Sequence, residues 1–169
     1  MAVTTEPYRV VLGLGSNQPS NLGDPLTLLR RAAELLEERQ VLAIEGRSHV
    51  VASPAVGPPQ PDYLNAAVIG TTTLAPETLL DAVLAIERML GRQRPDAVRW
   101  GPRTIDIDIL WSDAGAYAGP TLSIPHPRLR ERSFALQPLL ELAPEAIDPH
   151  TGARYSELEI APLPRVAIL

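Results

Sequence analysis

The sequence predicts an α+β protein in which two helices pack on one face of a mixed, mainly antiparallel sheet. Short runs rich in valine, isoleucine and threonine alternate with two amphipathic stretches of helical period, and the segments follow one another in the order βαββαβ. This order is the ferredoxin-like arrangement. With 169 residues, of which 45% are hydrophobic, the chain is expected to form a single domain over residues 1–169, including a C-terminal extension beyond the core.

The first half of this pattern has clear start and stop signals. Residues 8–14 form an apolar run that ends in a glycine-containing turn, which predicts a buried strand. Asp24 is placed as the N-cap, and Pro25 as the first residue, of a helix that ends near residue 39. Residues 41–51 alternate imperfectly and are expected to form a second, edge-like strand.

The second half begins after a proline-rich loop. Residues 53–62 contain four prolines and a glycine, a composition that disfavours regular structure but suits a mobile cover over a site. A third strand is predicted over 63–73, followed by a helix that begins near Pro76 and is terminated by Gly91. Residues 92–103 form another loop, which leads directly into the fourth strand.

The remainder of the chain is predicted to be less regular. A short strand is expected over residues 121–124, and a helix over 134–142 with a possible break at Pro138, because proline removes a helical hydrogen bond. Ser156 and Glu159 have the spacing of a capping box and therefore predict a last short helix.

Paired aspartates in the fourth strand are the most informative functional feature. Alternation along a strand places Asp106 and Asp108 on one face, whereas the neighbouring isoleucines and Trp111 are expected to share the other. Two adjacent carboxylates repel each other unless a cation lies between them, and Mg²⁺ is commonly held by one or two carboxylates together with substrate phosphates. The alternative is a solvated strand face that carries two charges.

The loop before these aspartates is rich in arginine. The chain has no cysteine and no lysine, so a Walker-type lysine, a Schiff-base lysine and thiolate chemistry are all excluded. Any phosphate must therefore be bound by guanidinium groups and metal ions. The alternative for each arginine alone is an ordinary surface charge. The arginines of this loop are Arg92, Arg94, Arg99 and Arg103.

Charge and hydropathy narrow the class of protein further. The formal net charge of −5 argues against a general nucleic-acid or membrane-surface binder, which would carry a basic excess. The N-terminus lacks a secretory pattern, and no apolar run approaches the roughly 18 residues of a membrane span. We therefore expect a cytoplasmic protein with no nucleic-acid or membrane partner, and a monomer rather than a homodimer.

A second group of residues suits a flat, polar ring. Tyr63 and Asn65 share a strand face and are able to contact the hydrogen-bonding edge of a heterocycle, while Trp100 and Phe134 are candidates for stacking on it. His126 lies between two prolines that fix its backbone, so it is able to donate to a phosphate or act as an acid. The alternatives are an exposed polar edge, a core position for Phe134 and a structural histidine.

Together these motifs resemble the 6-hydroxymethyl-7,8-dihydropterin pyrophosphokinase family of the folate pathway. The resemblance covers roughly residues 10–144, and the combination of its two central blocks is highly specific. The matching motifs are Gly15-Ser16-Asn17, residues 61–66 (PDYLNA), residues 99–108 (RWGPRTIDID), and Pro125-His126 followed by Arg132 and Phe134.

The resemblance implies transfer of the terminal pyrophosphate of ATP to the hydroxymethyl oxygen of the reduced pterin, with release of AMP. It implies two Mg²⁺ ions on Asp106 and Asp108, and Arg92 and Arg103 as further catalytic residues. The nucleotide contacts that it implies are Glu87, Arg94, Trp100, Arg103, Ile109, His126 and Arg132. The implied pterin contacts are Ser53, Pro54, Val56, Tyr63, Asn65, Trp100 and Phe134.

Two other functions remain as alternatives. A catalytically silent pterin- or nucleotide-binding module would keep the fold but is expected to lose an aspartate or the arginine at the strand entry. A metal-dependent phosphohydrolase would use the same carboxylates, but it does not account for the residues suited to a planar ring.

Overall fold

The computed structural model describes residues 4–92 and 102–169. Within them lie three α-helices and two single-turn 3₁₀ helices, Leu129–Glu131 and Tyr155–Glu157. The helices are α1 (Pro25–Glu38), α2 (Pro76–Met89) and α3 (Ser133–Leu142). The strands are β1 (Thr4–Ser16), β2 (Ala43–Arg47), β3 (His49–Ser53), β4 (Tyr63–Leu74), β5 (Asp106–Ser112), β6 (Tyr117–Ala118), β7 (Ser123–Ile124) and β8 (Arg165–Ile168).

The main sheet has the order β5-β1-β4-β3-β8, with β2 pairing beside β3 on β4. All strand pairs in the described part of the chain are antiparallel. The strands β2 and β3 are the two halves of the predicted second strand, so the order βαββαβ and the ferredoxin-like α+β fold are confirmed. The small strands β6 and β7 pair with each other outside this sheet.

The two faces of the sheet are covered by different helices. On one face, α1 and α2 bury side chains such as Leu29 and Ile86 against Leu12 and Val68. On the other, Leu139 of α3 joins a second apolar cluster with residues of β1, β4 and β5. The two predicted helices therefore share one face as expected, and α3 leaves the end of the opposite face open beside its N-terminus.

The predicted helix boundaries of α1 and α2 are confirmed. The Asp24 carboxylate accepts a hydrogen bond from the Thr27 amide at 2.8 Å, which satisfies one of the free N–H groups at the start of α1. Gly91 follows the C-cap of α2 with φ +94°, a left-handed conformation that favours glycine.

A bulge in β5 corrects the prediction for Trp111. Val11 pairs with Trp111 and Leu12 with Ile109, so Leu110 is an extra residue in β5. The bulge shifts the alternation by one position. Trp111 therefore packs on the α3 side, where its Nε1 donates to the Ile147 carbonyl at 2.9 Å, instead of joining the isoleucines on the other face.

The C-terminal third differs from the prediction in two respects. The helix α3 continues through Pro138, because the buried residues Leu136 and Leu139 beside it anchor the helix to the sheet. Ser156 lies inside the 3₁₀ turn rather than at a helix start, so the expected capping box was wrong. The last element is instead β8, which pairs with β3. None of the described helices has the length and apolar character needed to cross a bilayer.

Candidate active site

A cleft of about 580 Å³ opens on the α3 face of the sheet, beside the N-terminus of α3. Strands β1, β4 and β5 form its floor, and the loop between β3 and β4 contributes a wall. Arg94, Arg99 and Trp100 lie outside the described residues. The predicted site residues that line the cleft are Ser53, Pro54, Val56, Tyr63, Asn65, Arg92, Arg103, Asp106, Asp108, His126, Arg132 and Phe134.

Two glycines keep the floor of the cleft open. In β1, Gly13 pairs with Asp108 and Gly15 with Asp106, so neither carboxylate has a neighbouring side chain on that strand. A Cβ atom at Gly13 would lie 3.0 Å from Leu110, and one at Gly15 would lie 3.1 Å from Oδ1 of Asn65. The sequence predicted a turn at these glycines, but both lie inside β1, which continues to Ser16. The other lining residues to which the sequence analysis assigned no role are Leu14, Ala66, Leu110, Arg128, Glu131 and Ala135.

The two aspartates have different electrostatic environments. Asp106 accepts from Nη1 of Arg92 at 2.7 Å and faces Nη1 of Arg103 at 3.5 Å. Burial, followed by the charge of Asp106, raises the pKa of Asp108 to about 7, although Arg132 and Arg103 act in the opposite direction. The pair therefore presents crowded negative charge to the cleft, which is the condition that a divalent cation relieves.

The described residues supply few further metal ligands. In residues 4–92 and 102–169 there is no cluster of three or more His, Cys, Asp or Glu side chains suited to a metal ion. Two carboxylates fit hard cations such as Mg²⁺, which takes its remaining ligands from water and substrate oxygens. The donor set thus suits a metal ion that binds together with a phosphorylated substrate.

Glu87 holds Arg92 against the start of β5. Its Oε1 accepts from Nη1 of Arg92 and from the Ile107 amide, both at 2.9 Å. Both side chains of the ion pair are almost fully buried, with exposures of 1% for Glu87 and 3% for Arg92. Glu87 lies behind Arg92 and does not line the cleft, and Ile109 packs in the core under α1 and α2.

Asn17 connects the loop over the cleft to the start of the aspartate strand. Its Oδ1 accepts from the Arg103 amide at 2.9 Å. Its Nδ2 donates to Oε1 of Gln60 and to the Pro61 carbonyl, also at 2.9 Å. The motif Gly15-Ser16-Asn17 drew attention to this residue, but its role depends on contacts with two distant segments.

Polar and aromatic groups meet on the opposite side of the cleft. Nδ2 of Asn65 donates to Oγ of Ser53 at 2.8 Å, and both residues are buried. The Arg132 guanidinium lies 5.5 Å from the centroid of the Phe134 ring, within cation–π distance. One wall of the cleft therefore offers an aromatic ring, while the other offers a hydrogen-bonding edge.

The surroundings of His126 favour the neutral form of its ring. Its backbone amide donates to the Leu110 carbonyl, and its Nδ1 accepts from the Arg128 amide at 3.1 Å. Burial, followed by the charge of Arg132, lowers the pKa of the imidazole. The ring therefore carries its proton on Nε2, which makes that nitrogen a hydrogen-bond donor.

The fold and the site together define the class of the protein. A carboxylate pair, several arginines and a neutral histidine surround one cleft, and this combination is typical of enzymes that transfer phosphorus-containing groups through positioning and charge neutralisation.

Comparison with known proteins specifies the family. Residues 11–144 match the family described as 7,8-dihydro-6-hydroxymethylpterin-pyrophosphokinase (HPPK), and the chain belongs to it. It is similar to a 2-amino-4-hydroxy-6-hydroxymethyldihydropteridine pyrophosphokinase of Synechocystis, with 39% identity over 89% of this chain and 74% of that protein. It also matches a mitochondrial folate synthesis bifunctional protein of Arabidopsis thaliana, with 38% identity over 95% of this chain but only 28% of that protein.

A solved structure shows the same fold. The chain superposes on a crystal structure of Plasmodium falciparum HPPK-DHPS with a TM-score of 0.66 and 15% sequence identity, over 94% of this chain and 45% of that one. Membership of the family makes the protein an ATP-dependent diphosphotransferase. The family reaction is transfer of pyrophosphate from ATP to hydroxymethyldihydropterin in folate biosynthesis.

Proposed function

We propose that this chain catalyses the family reaction with Asp106 and Asp108 holding two Mg²⁺ ions and with arginines neutralising the triphosphate. The observation that carries this proposal is that both aspartates line one cleft with Arg92 and Arg103. In the reaction, the hydroxymethyl oxygen of the pterin attacks the β-phosphorus of ATP, and its proton passes to the solvent. The bond from the β-phosphorus to the oxygen bridging it to the α-phosphate breaks, and AMP leaves.

The nucleotide binds on the arginine side of the cleft in this proposal. Arg103, Arg132 and the Nε2–H of His126 donate to phosphate oxygens, which favours a charge-neutralised transition state. Mg²⁺, when bound, supplies additional charge neutralisation at the phosphates. Arg92 orients Asp106 and is itself oriented by Glu87, so Glu87 acts through Arg92. The resemblance also assigns Arg94 and Trp100 to the nucleotide, whereas the side chain of Ile109 lies in the core on the other face of the sheet.

The pterin binds between the aromatic wall and the polar wall. Phe134 stacks on one ring face, and the resemblance assigns Trp100 to the other. Because Nδ2 of Asn65 is directed to Ser53, its Oδ1 serves as the acceptor for a pterin N–H group. Tyr63, Pro54 and Val56 cover the remaining edge, and closure of their loop excludes water that would otherwise hydrolyse ATP.

We infer that the protein works in the cytoplasm as a monomer, without nucleic-acid or membrane partners. Its acidic composition supports the part of this inference that concerns nucleic-acid and anionic-membrane partners. Static light scattering at working concentration measures the oligomeric state, and a stable dimer would contradict it.

An AMP-release assay tests the proposed chemistry. Wild type with Mg-ATP is expected to release AMP only when 6-hydroxymethyl-7,8-dihydropterin is present. The double variant Asp106→Asn, Asp108→Asn is expected to lose at least about 100-fold in rate, because several kcal/mol of charge stabilisation disappear. Asp81→Asn, which changes an exposed carboxylate of α2, is the matched control and is expected to retain full activity.

Two outcomes of this assay would indicate a different function. Release of inorganic phosphate without pterin would identify a phosphohydrolase. Binding of both ligands without turnover in wild type would identify a silent binding module. Full activity in the double variant would contradict the roles of the two aspartates.

A further inference from the structure

The segment after residue 144 lies outside the part of the chain that matches the family, yet Tyr155 and Leu158 pack with the apolar cluster of α3. It passes beside α3 and ends in β8, which extends the sheet along β3. Just before β8, the carbonyl of Pro164 accepts from the Ala52 amide at 3.1 Å. Ala52 immediately precedes Ser53, which lines the cleft.

Gln137 of α3 holds this segment in place. Its Oε1 accepts from the Leu163 amide at 2.8 Å, and its Nε2 donates to the Leu163 carbonyl at 3.1 Å. One partly buried amide side chain thus satisfies both backbone groups of a single tail residue. The paired bonds fix the position of Leu163 relative to α3 and therefore the position of the next residue, Pro164.

These contacts join the two walls of the cleft. Phe134 lies three residues before Gln137 on α3, and Ser53 lies one residue after Ala52 on β3. A second link spans the same pair of elements, since Glu141 accepts from the backbone amide of His49 at 3.1 Å and contacts its Nδ1 at 2.6 Å. The elements that carry the aromatic wall and part of the polar wall, α3 and β3, are therefore linked both directly and through the tail.

We propose that Gln137 and residues 163–168 form a strap that sets the width of the pterin slot, the space between Phe134 and Asn65. Gln137 is therefore a positioning residue for pterin binding. The strap holds α3 and β3 at the separation that a flat ring between Phe134 and Asn65 requires. Two of the proposed ATP contacts, Arg103 and His126, lie outside both α3 and β3, so the strap acts on the pterin more than on the nucleotide. This inference rests on the proposed function.

The variant Gln137→Met tests it, because methionine has a similar length but makes neither bond to Leu163. We expect the KM for 6-hydroxymethyl-7,8-dihydropterin to rise about tenfold, while the KM for ATP and kcat stay within about twofold. Amide hydrogen exchange at Ala52 is expected to accelerate, because its acceptor, Pro164, is no longer held. Gln137→Glu keeps the acceptor for the Leu163 amide and is expected to fall between wild type and Gln137→Met.

Tyr8→Phe is the matched control, because it removes another hydrogen bond from a side chain to a backbone carbonyl, Tyr8 to Leu74 at 2.7 Å, far from the cleft. It is expected to leave both KM values and exchange at Ala52 unchanged. The proposed role of the strap would be contradicted if Gln137→Met and Gln137→Glu accelerated amide exchange at Ala52 without weakening pterin binding. An equal rise in the KM values for pterin and ATP would also contradict it. If the wild-type protein did not bind the pterin, this result would instead contradict the proposed function itself.

Discussion

At the scale of single residues, the network around Arg92 makes a specific prediction for Glu87. Glu87→Gln keeps the shape of the side chain but removes its charge from a fully buried ion pair. We expect the free energy of unfolding to fall by about 3 kcal/mol, since Arg92 would lose a charged partner in a buried setting. We also expect kcat to fall by a larger factor than the factor by which either KM changes, because Arg92 would no longer orient Asp106.

Chemical denaturation and steady-state kinetics measure both effects. Glu45→Gln is the matched control, because the Arg9–Glu45 pair is a surface ion pair whose two side chains are 43% and 44% exposed. Solvent screens such pairs, so this variant is expected to unfold like wild type. A Glu87→Gln enzyme with the stability and kcat of wild type would show that the buried network does not position Asp106.

At the scale of elements, the close approach of β2 to β4 leaves no room for a side chain at Gly70. A Cβ atom there would overlap the Ala43 carbonyl and would lie 2.8 Å from Cγ of Leu42. The pairing beside it already contains a register shift between Ile44 and Gly46, so the backbone has little freedom to relax. Gly70→Ala is therefore expected to lower the free energy of unfolding by about 1–3 kcal/mol.

Thermal and urea denaturation test this prediction. Thr73→Ala changes an exposed side chain of the same strand and is expected to shift stability by no more than about 0.5 kcal/mol. Equal stability of wild type and Gly70→Ala would show that β2 moves away from β4 without loss, which the packing of Leu42 in the core argues against.

At the scale of the whole molecule, local signals predicted the fold and long-range contacts completed it. Helix caps such as Asp24 and Gly91, and the period of the apolar residues, depend only on residues close together in the sequence. The sequence therefore predicted α1, α2 and the order βαββαβ. The bulge at Leu110 has no such local signal. The strand β8 pairs with β3 more than one hundred residues earlier, which no local pattern shows.

The same distinction applies to the site. The aspartates, the arginines, His126 and Phe134 carry recognisable chemistry in specific motifs, and the structure brings the described ones into one cleft. Asn17 was not assigned a role, because its bond to the Arg103 amide joins residues 86 positions apart. Gly13 and Gly15 were wrongly expected in a turn, because their contribution to the site, an absent side chain opposite each aspartate, has no local signal.

Transfer of the pyrophosphoryl group is tested by following the phosphorus atoms of ATP. The enzyme is incubated with Mg²⁺, 6-hydroxymethyl-7,8-dihydropterin and ATP labelled in separate samples at the β- or the γ-phosphorus. Pyrophosphoryl transfer is expected to place both labels on the pterin, with one AMP formed per modified pterin. Transfer of the γ label alone with formation of ADP, or appearance of either label as inorganic phosphate without a pterin product, would contradict the account.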